Sequence, residues 1–245
     1  MSCLLRAEGL TKHYTRYQGF FRSQTQVALS DVSFELHEGQ TLAIMGSNGS
    51  GKSTLAGIIS GSIAPTSGQL FLKQQALSSG DYKTRAQTIR MVFQDSEASL
   101  NPHMTIGKQL HEALLFNTRL THEQRNELIR RTLLRVGLLD EHRVFYPYMM
   151  SNGQRQRACI ARAIILNPNI LVADEALANL DTSVRAQILN LLLDLQEELK
   201  MSYIFITHSH KIAQHMADHI LELKDGQVER YHETAASLEK NKSIC

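Results

Sequence analysis

Short apolar runs alternate with longer helical stripes along most of the chain. "QTLAIM" (40–45) is a brief apolar run with glycine on both sides, and "NILVAD" (169–174) and "SYIFIT" (202–207) have the same character. Runs of this length suit buried strands. From Val184 onward, Ile188, Leu191, Leu192, Leu195 and Leu199 keep helical spacing and predict one broad buried stripe. Strands alternating with helices predict an α/β fold, a mainly parallel sheet with helices on its faces. The beginning of the chain differs. "VALSDVSFEL" and "GQLFLKQ" are alternating or β-branched segments near turn residues, which predicts an N-terminal antiparallel β-subdomain beside the main sheet. Residues from roughly 95 to 150 are helical in pattern ("IGKQLHEALLF", "EQRNELIRRTLLRVGLL") and read as a helical subdomain inserted between two core strands. After them, "MMSNGQRQR" (149–157) sets turn residues before the helical "ACIARAIIL". Ser151 or Asn152 is the expected N-cap there. A helix N-terminus with free N–H groups is also an anion site.

The chemistry concentrates in two further stretches. "GSNGSGKS", Gly46 to Ser53, matches G-x-x-x-x-G-K-[ST] in full, directly after the "QTLAIM" strand and before a helical segment beginning at Thr54. That context defines a P-loop. Gly46, Ser47, Asn48, Gly49, Ser50 and Gly51 supply backbone N–H groups to wrap phosphates. Lys52 reaches the outer phosphates, and the Ser53 hydroxyl is a Mg²⁺ ligand. The pattern predicts a nucleoside triphosphate-binding core. In "ILVADEALANLD" (170–181) an apolar strand ends in Asp-Glu. Asp174 then falls at the carboxyl edge of the sheet, where α/β sheets bind ligands. It is positioned to hold Mg²⁺ through water, and Glu175 to polarise the attacking water.

Composition narrows the field without adding a site. The chain has 245 residues with a formal net charge of +2, too small by itself to indicate nucleic acid. Cys3, Cys159 and Cys245 form no CxxC pair, and reduced thiols in a cytosolic setting are the expectation. No apolar run approaches the ~18 residues that span a bilayer, and the N-terminus lacks the apolar core of a signal peptide.

The order P-loop, "VFQDSEASLNP", "MSNGQRQR", "LVADEA", "NLD" and "ITHSH" resembles the ATP-binding subunits of ABC transporters, over residues 4 to 232. The resemblance implies an ABC ATPase with a helical subdomain at about 95–168 and a tail at 233–245. Its cofactors are ATP and Mg²⁺. It assigns Gln94 to the loop that senses the Mg²⁺ site, Asn179 to Asp181 to the D-loop, and His208 to the switch histidine at the γ-phosphate. Tyr14 in "LTKHY" takes the adenine-stacking role, with Tyr17, Phe20 and Phe21 as competitors for it. His208 and His210 also suggest metal binding, but no Cys or acidic residue has matching spacing. Since family members dimerise with ATP between a P-loop and the partner's signature helix, Ser151, Gly153 and Gln154 are expected to face the partner's ATP. Asn152 stands where the family usually has glycine, and Ser96 where Gln-Asp is usually followed by proline.

"DSEASLNP" and the long N-terminal loop resemble the dipeptide, oligopeptide and nickel importer branch. The implied partners are membrane-spanning permease subunits, a second ATP-binding subunit in a hetero- or homodimer, and indirectly a periplasmic peptide-binding protein. The implied location is the cytoplasmic face of the inner membrane, as a peripheral subunit without nucleic acid. Two alternatives stay open: a soluble ABC-type ATPase outside transport, and an ATP-gated regulatory subunit with weak hydrolysis. The residues do not distinguish import from export.

Overall fold

The computed structural model describes residues 2–18, 22–78, 80–93, 96–175, 177 and 180–234. Gln94, Asn179, Phe20, Phe21 and Cys245 lie outside the described residues. The chain divides into two compact units, residues 1–86 with 200–245, and residues 87–199.

The first unit opens with β1 (Cys3–Gln18) and β2 (Arg22–His37), a long antiparallel pair, then β3 (Thr41–Gly46) and α1 (Lys52–Ser60). β4 (Ser67–Leu72), β5 (Gln75–Leu77) and α2 (Tyr82–Thr88) follow. The second unit carries β6 (Ile89–Val92), α3 (Ser96–Ser99), α4 (Ile106–Asn117) and α5 (His122–Arg135). Two 3-10 turns, Asp140–Val144 and Pro147–Met149, lead into α6 (Asn152–Ile164), β7 (Ile170–Asp174) and α7 (Thr182–Leu199). The chain then returns to the first unit as β8 (Ser202–Ile206), α8 (His210–Met216), β9 (His219–Lys224) and β10 (Gln227–Glu233).

The antiparallel sheet has the order β2-β1-β4-β5. β4 and β5 are joined through Lys73 and Gln74, both at positive φ (47° and 67°). Two successive left-handed residues match the right-handed twist of a two-residue hairpin. In the same unit β3 runs parallel to both β8 and β9, and β10 closes antiparallel on β9. Leu42, Ala43, Ile44 and Met45 of β3 are all buried, as continuous apolar strands covered on both faces must be. Each large side chain among them contributes about 1.5–3 kcal/mol by leaving water, so the strand that delivers the P-loop is firmly anchored.

In the second unit β6 and β7 pair in parallel, and every described element between them is helical. Two of those helices, α4 and α5, begin with threonine caps. Thr105 accepts from the Lys108 N–H, and Thr121 forms a reciprocal box with Gln124. The α/β class with an antiparallel N-terminal sheet and intervening helices therefore matches the hydrophobic pattern. β9 and β10 were not anticipated. Their apolar positions are too few to stand out without the neighbouring β3.

Candidate functional site

The P-loop begins where β3 ends. Gly46, Gly49 and Gly51 have φ of 149°, 83° and 104°, a region that L side chains rarely adopt. Space is as restrictive as the dihedrals. A Cβ on Gly51 would stand 2.5 Å from the Ala28 carbonyl oxygen and 2.6 Å from Leu29 Cδ2. Gly51 is the N-cap of α1, and no side chain caps that end. The first-turn N–H groups, including those of Lys52, Ser53 and Thr54, are thus oriented as a donor array toward an anion. Ser47, Asn48 and Gly49 are exposed, whereas Ser50 is buried. Lys52 is only 6% exposed, and its ammonium donates to the Gly46 and Ser47 carbonyls at 2.8 and 2.9 Å. It therefore sits folded over the loop, with its charge held at the loop's centre.

Two supports of this loop come from distant sequence. The Gly226 N–H donates to the Ser50 carbonyl at 3.2 Å, and the Gly226 carbonyl accepts from the Ser30 N–H at 2.8 Å. Gly226 belongs to the Asp225-Gly226 turn joining β9 to β10, with both residues at positive φ. An Asp-Gly pair is a hairpin signal that could have revealed this turn. At the other end of α1, buried Arg85 donates to the Ile58 and Ile59 carbonyls at 3.0 and 2.9 Å. Burial pushes its pKa down and the nearby Asp81 acts the other way. No local signal in "YKTRAQT" marks that arginine as internal.

β8 ends beside β3, and the Thr207 N–H donates to the Ile44 carbonyl at 3.2 Å. That pairing carries His208 to the P-loop side of the sheet. His208 and His210, both exposed, line one concavity with Gly46, Ser47 and Glu222. Tyr14 lies on β1 opposite Gln26, with its ring 40% exposed and the Lys12 ammonium 5.2 Å from its centroid. An ammonium over a ring face is a cation–π contact.

The second unit holds the carboxylates and the signature helix. Ile170 to Ala173 are buried, and β7 brings Asp174 and Glu175 out half-buried at its end. Glu175 has φ of 45°, a left-handed conformation unusual for a residue with a side chain. Such strain is characteristic of positions where a side chain must be aimed. Asp181 is exposed, and its carbonyl accepts the Arg185 N–H at 2.8 Å at the start of α7.

Ser151 is the N-cap of α6, as one of the two residues expected there. Its Oγ accepts from the Gln154 N–H at 3.3 Å, and Gln154 Oε1 accepts from the Ser151 N–H at 2.9 Å. This reciprocal capping box satisfies two of the helix's orphan donors. Asn152, at the position where the resembled family usually has glycine, turns its side chain along the helix, where its Oδ1 accepts from the Arg155 guanidinium. Arg155 also donates to the Met150 carbonyl at 2.8 Å. The substitution is thus absorbed locally. Gly153 has no such latitude, since a Cβ there would stand 2.9 Å from Val184 Cγ1 of α7.

Cys3 is half-buried and Cys159 buried, and among the described residues neither is in a disulfide. Among the described residues no helix is long and apolar enough to cross a membrane. None of these residues forms a cluster of three or more His, Cys, Asp or Glu side chains suited to a metal ion.

A P-loop with an uncapped helix behind it, a histidine beside it, and a capped signature helix are the marks of an ATP-binding cassette. The ABC transporter family matches residues 29–178, and the chain belongs to that family. It is an ATP-binding and ATP-hydrolysing subunit of an ABC transporter. Over 232 residues it is 47% identical to the "Putrescine export system ATP-binding protein SapF" of Escherichia coli (strain K12), covering 95% of this chain and 87% of that one. Identity and coverage are the same for the "Peptide transport system ATP-binding protein SapF" of Escherichia coli O6:H1. Among solved structures it resembles a dimeric bacterial ABC transporter cassette, MJ0796, with 31% identity and a TM-score of 0.82, covering 94% and 98% of the two chains.

Proposed function

We propose that this subunit energises a transporter for peptides, working at the cytoplasmic face of the cell membrane. It would act with membrane-spanning permease subunits, a second ATP-binding subunit and, indirectly, a periplasmic peptide-binding protein. The observation that carries the ATP reading is the uncapped N-terminus of α1 behind three glycines of positive φ, with Lys52 folded over the loop. Bound MgATP supplies the phosphoanhydride and a cation that draws charge from it. The P-loop N–H groups of residues 46–54 and the Lys52 ammonium bind the phosphates, and Tyr14 stacks on the base. Ser53, Asp174 and Gln94 hold the Mg²⁺, a hard cation that takes few protein ligands and keeps several waters. Glu175 accepts the water's proton at its carboxylate, and His208 and Gln94 orient that site. Ser151, Gly153, Gln154 and Asp181 act on the partner subunit's ATP. The helical segment at about 95–168 passes closure of the dimer to the permease as a ligand-dependent shift between two states.

The peptide reading is supported by names of relatives, and an equally similar relative is named for putrescine export. A polyamine exporter is therefore the second reading. The test purifies the tagged full chain from detergent-solubilised native membranes, reconstitutes whatever co-purifies into vesicles, and measures ATP hydrolysis and transport. Peptide-stimulated hydrolysis with peptide uptake is the expected result. Stimulation and efflux with putrescine alone would replace it, and absence of any membrane partner would end the transporter reading.

A further inference from the structure

The stretch of β1 that carries Tyr14 is tied to the segment following α1 by three hydrogen bonds. The Thr66 N–H donates to the Thr11 carbonyl at 2.8 Å, and the His13 N–H donates to Thr66 Oγ1 at 3.0 Å. The third comes from a side chain: the Lys12 ammonium donates to the Ala64 carbonyl at 2.7 Å. Lys12 and Tyr14 are two residues apart on β1, so their side chains leave the same face of the strand. The tethered ammonium lies over the Tyr14 ring, 5.2 Å from its centroid, within cation–π reach. Residues 64–66 follow α1, the helix that begins at Lys52 of the P-loop, and all of these groups belong to one compact unit. Ring and phosphate loop are thus joined by a short hydrogen-bonded path.

We propose that Lys12 is a positioning residue for nucleotide binding: its ammonium, held by the Ala64 carbonyl, covers one face of the Tyr14 ring and leaves the opposite face for the base. The proposal rests on the reading that Tyr14 stacks on that base. A partly exposed tyrosine samples several rotamers, and ordering it on binding costs affinity. An ammonium seated on one face removes that freedom beforehand and leaves a single stacking geometry. The tether matters as much as the charge, because a lysine stem is flexible and its ammonium is strongly hydrated.

The test compares equilibrium binding of MgATP and of magnesium tripolyphosphate to the isolated full chain. Tripolyphosphate carries phosphates without a base, so it reads the P-loop alone. Lys12→Met keeps an apolar stem without the charge, and should weaken ATP binding by about two- to five-fold, the worth of an exposed cation–π contact. Tripolyphosphate binding should not change. Lys12→Arg, which restores a cation able to lie over the ring, should recover most of the loss. A second readout needs no nucleotide. The chain has no tryptophan, so Tyr14→Trp installs a single indole whose fluorescence anisotropy should fall when Lys12→Met is added. Equal loss for both ligands would make Lys12 a prop of the phosphate loop, and a gain in ATP affinity would mean that base and ammonium compete for one face. Either result, unchanged ATP affinity in Lys12→Met, or unchanged anisotropy would overturn the proposal. Tyr14→Ala serves as the reference: if it binds ATP as wild type does, the stacking reading fails and the nucleotide role of Lys12 with it, while anisotropy still decides whether Lys12 holds the ring.

Discussion

The glycine at 153 offers the sharpest test, because packing and chemistry there can be separated. A Cβ at this position would lie 2.9 Å from Val184 Cγ1. Nonbonded carbons are comfortable at about 3.5–4.0 Å, so the pair falls short by roughly 0.6–1 Å. Gly153 lies in the first turn of α6 and Val184 in the first turn of α7, so neither backbone yields without moving a helix. Forcing a methyl group into such a contact costs about 1–3 kcal/mol. A chain of this size loses about 2–4 °C in melting midpoint per kcal/mol, so Gly153→Ala should lower it by several degrees. Val184→Ala alone should cost about 1 kcal/mol or less, since Val184 is half-buried. Combining the two should recover at least ~1 kcal/mol relative to their sum, a coupling well above the ~0.5 kcal/mol expected of independent sites. Denaturant and thermal unfolding of the four proteins measure the cycle. ATP turnover in the assembled transporter supplies the other half, and there the double variant should stay impaired. Its added methyl still keeps a phosphate from the Gly153 N–H even after the clash with α7 is gone. Additive stabilities would show that Gly153 is not constrained by Val184. Full turnover in the double variant would show that the glycine serves only packing.

Three further outcomes follow from the same geometry. Glu175→Gln should bind ATP normally and hydrolyse it about 10²–10⁴-fold more slowly, the usual worth of a general base, and near-normal turnover would remove Glu175 from the mechanism. Tyr14→Ala should lose about 1–3 kcal/mol of nucleotide affinity, the value of one stacked base, while Tyr14→Phe keeps it; equilibrium binding of labelled ATP decides. Arg85→Met should destabilise the first unit by about 2–4 kcal/mol, because the Ile58 and Ile59 carbonyls lose charged donors in a buried setting. Unfolding by denaturant should show this, with the melting midpoint lowered, and an unchanged midpoint would contradict the capping role.

Much of this cassette could be read from short windows of sequence. The P-loop, the apolar strands that flank the core and the helical stripe of α7 depend on periodicity and turn chemistry within a dozen residues. So does the cap at Ser151, where a serine precedes a glutamine by three residues. Their physics is local, and the structure places each of them as the pattern implied. The supports of the site are of another kind. Gly226 meets the Ser50 carbonyl across more than 170 residues of chain, Arg85 meets the end of α1 across 26, and Gly153 is hemmed in by Val184 of another helix. Lys12 looks like one more polar residue of β1 until the Ala64 carbonyl holds its ammonium over the Tyr14 ring. Periodicity says which face of an element is apolar, but which backbone carbonyl, methyl group or ring it meets depends on how the elements pack. Only the tertiary structure decides that.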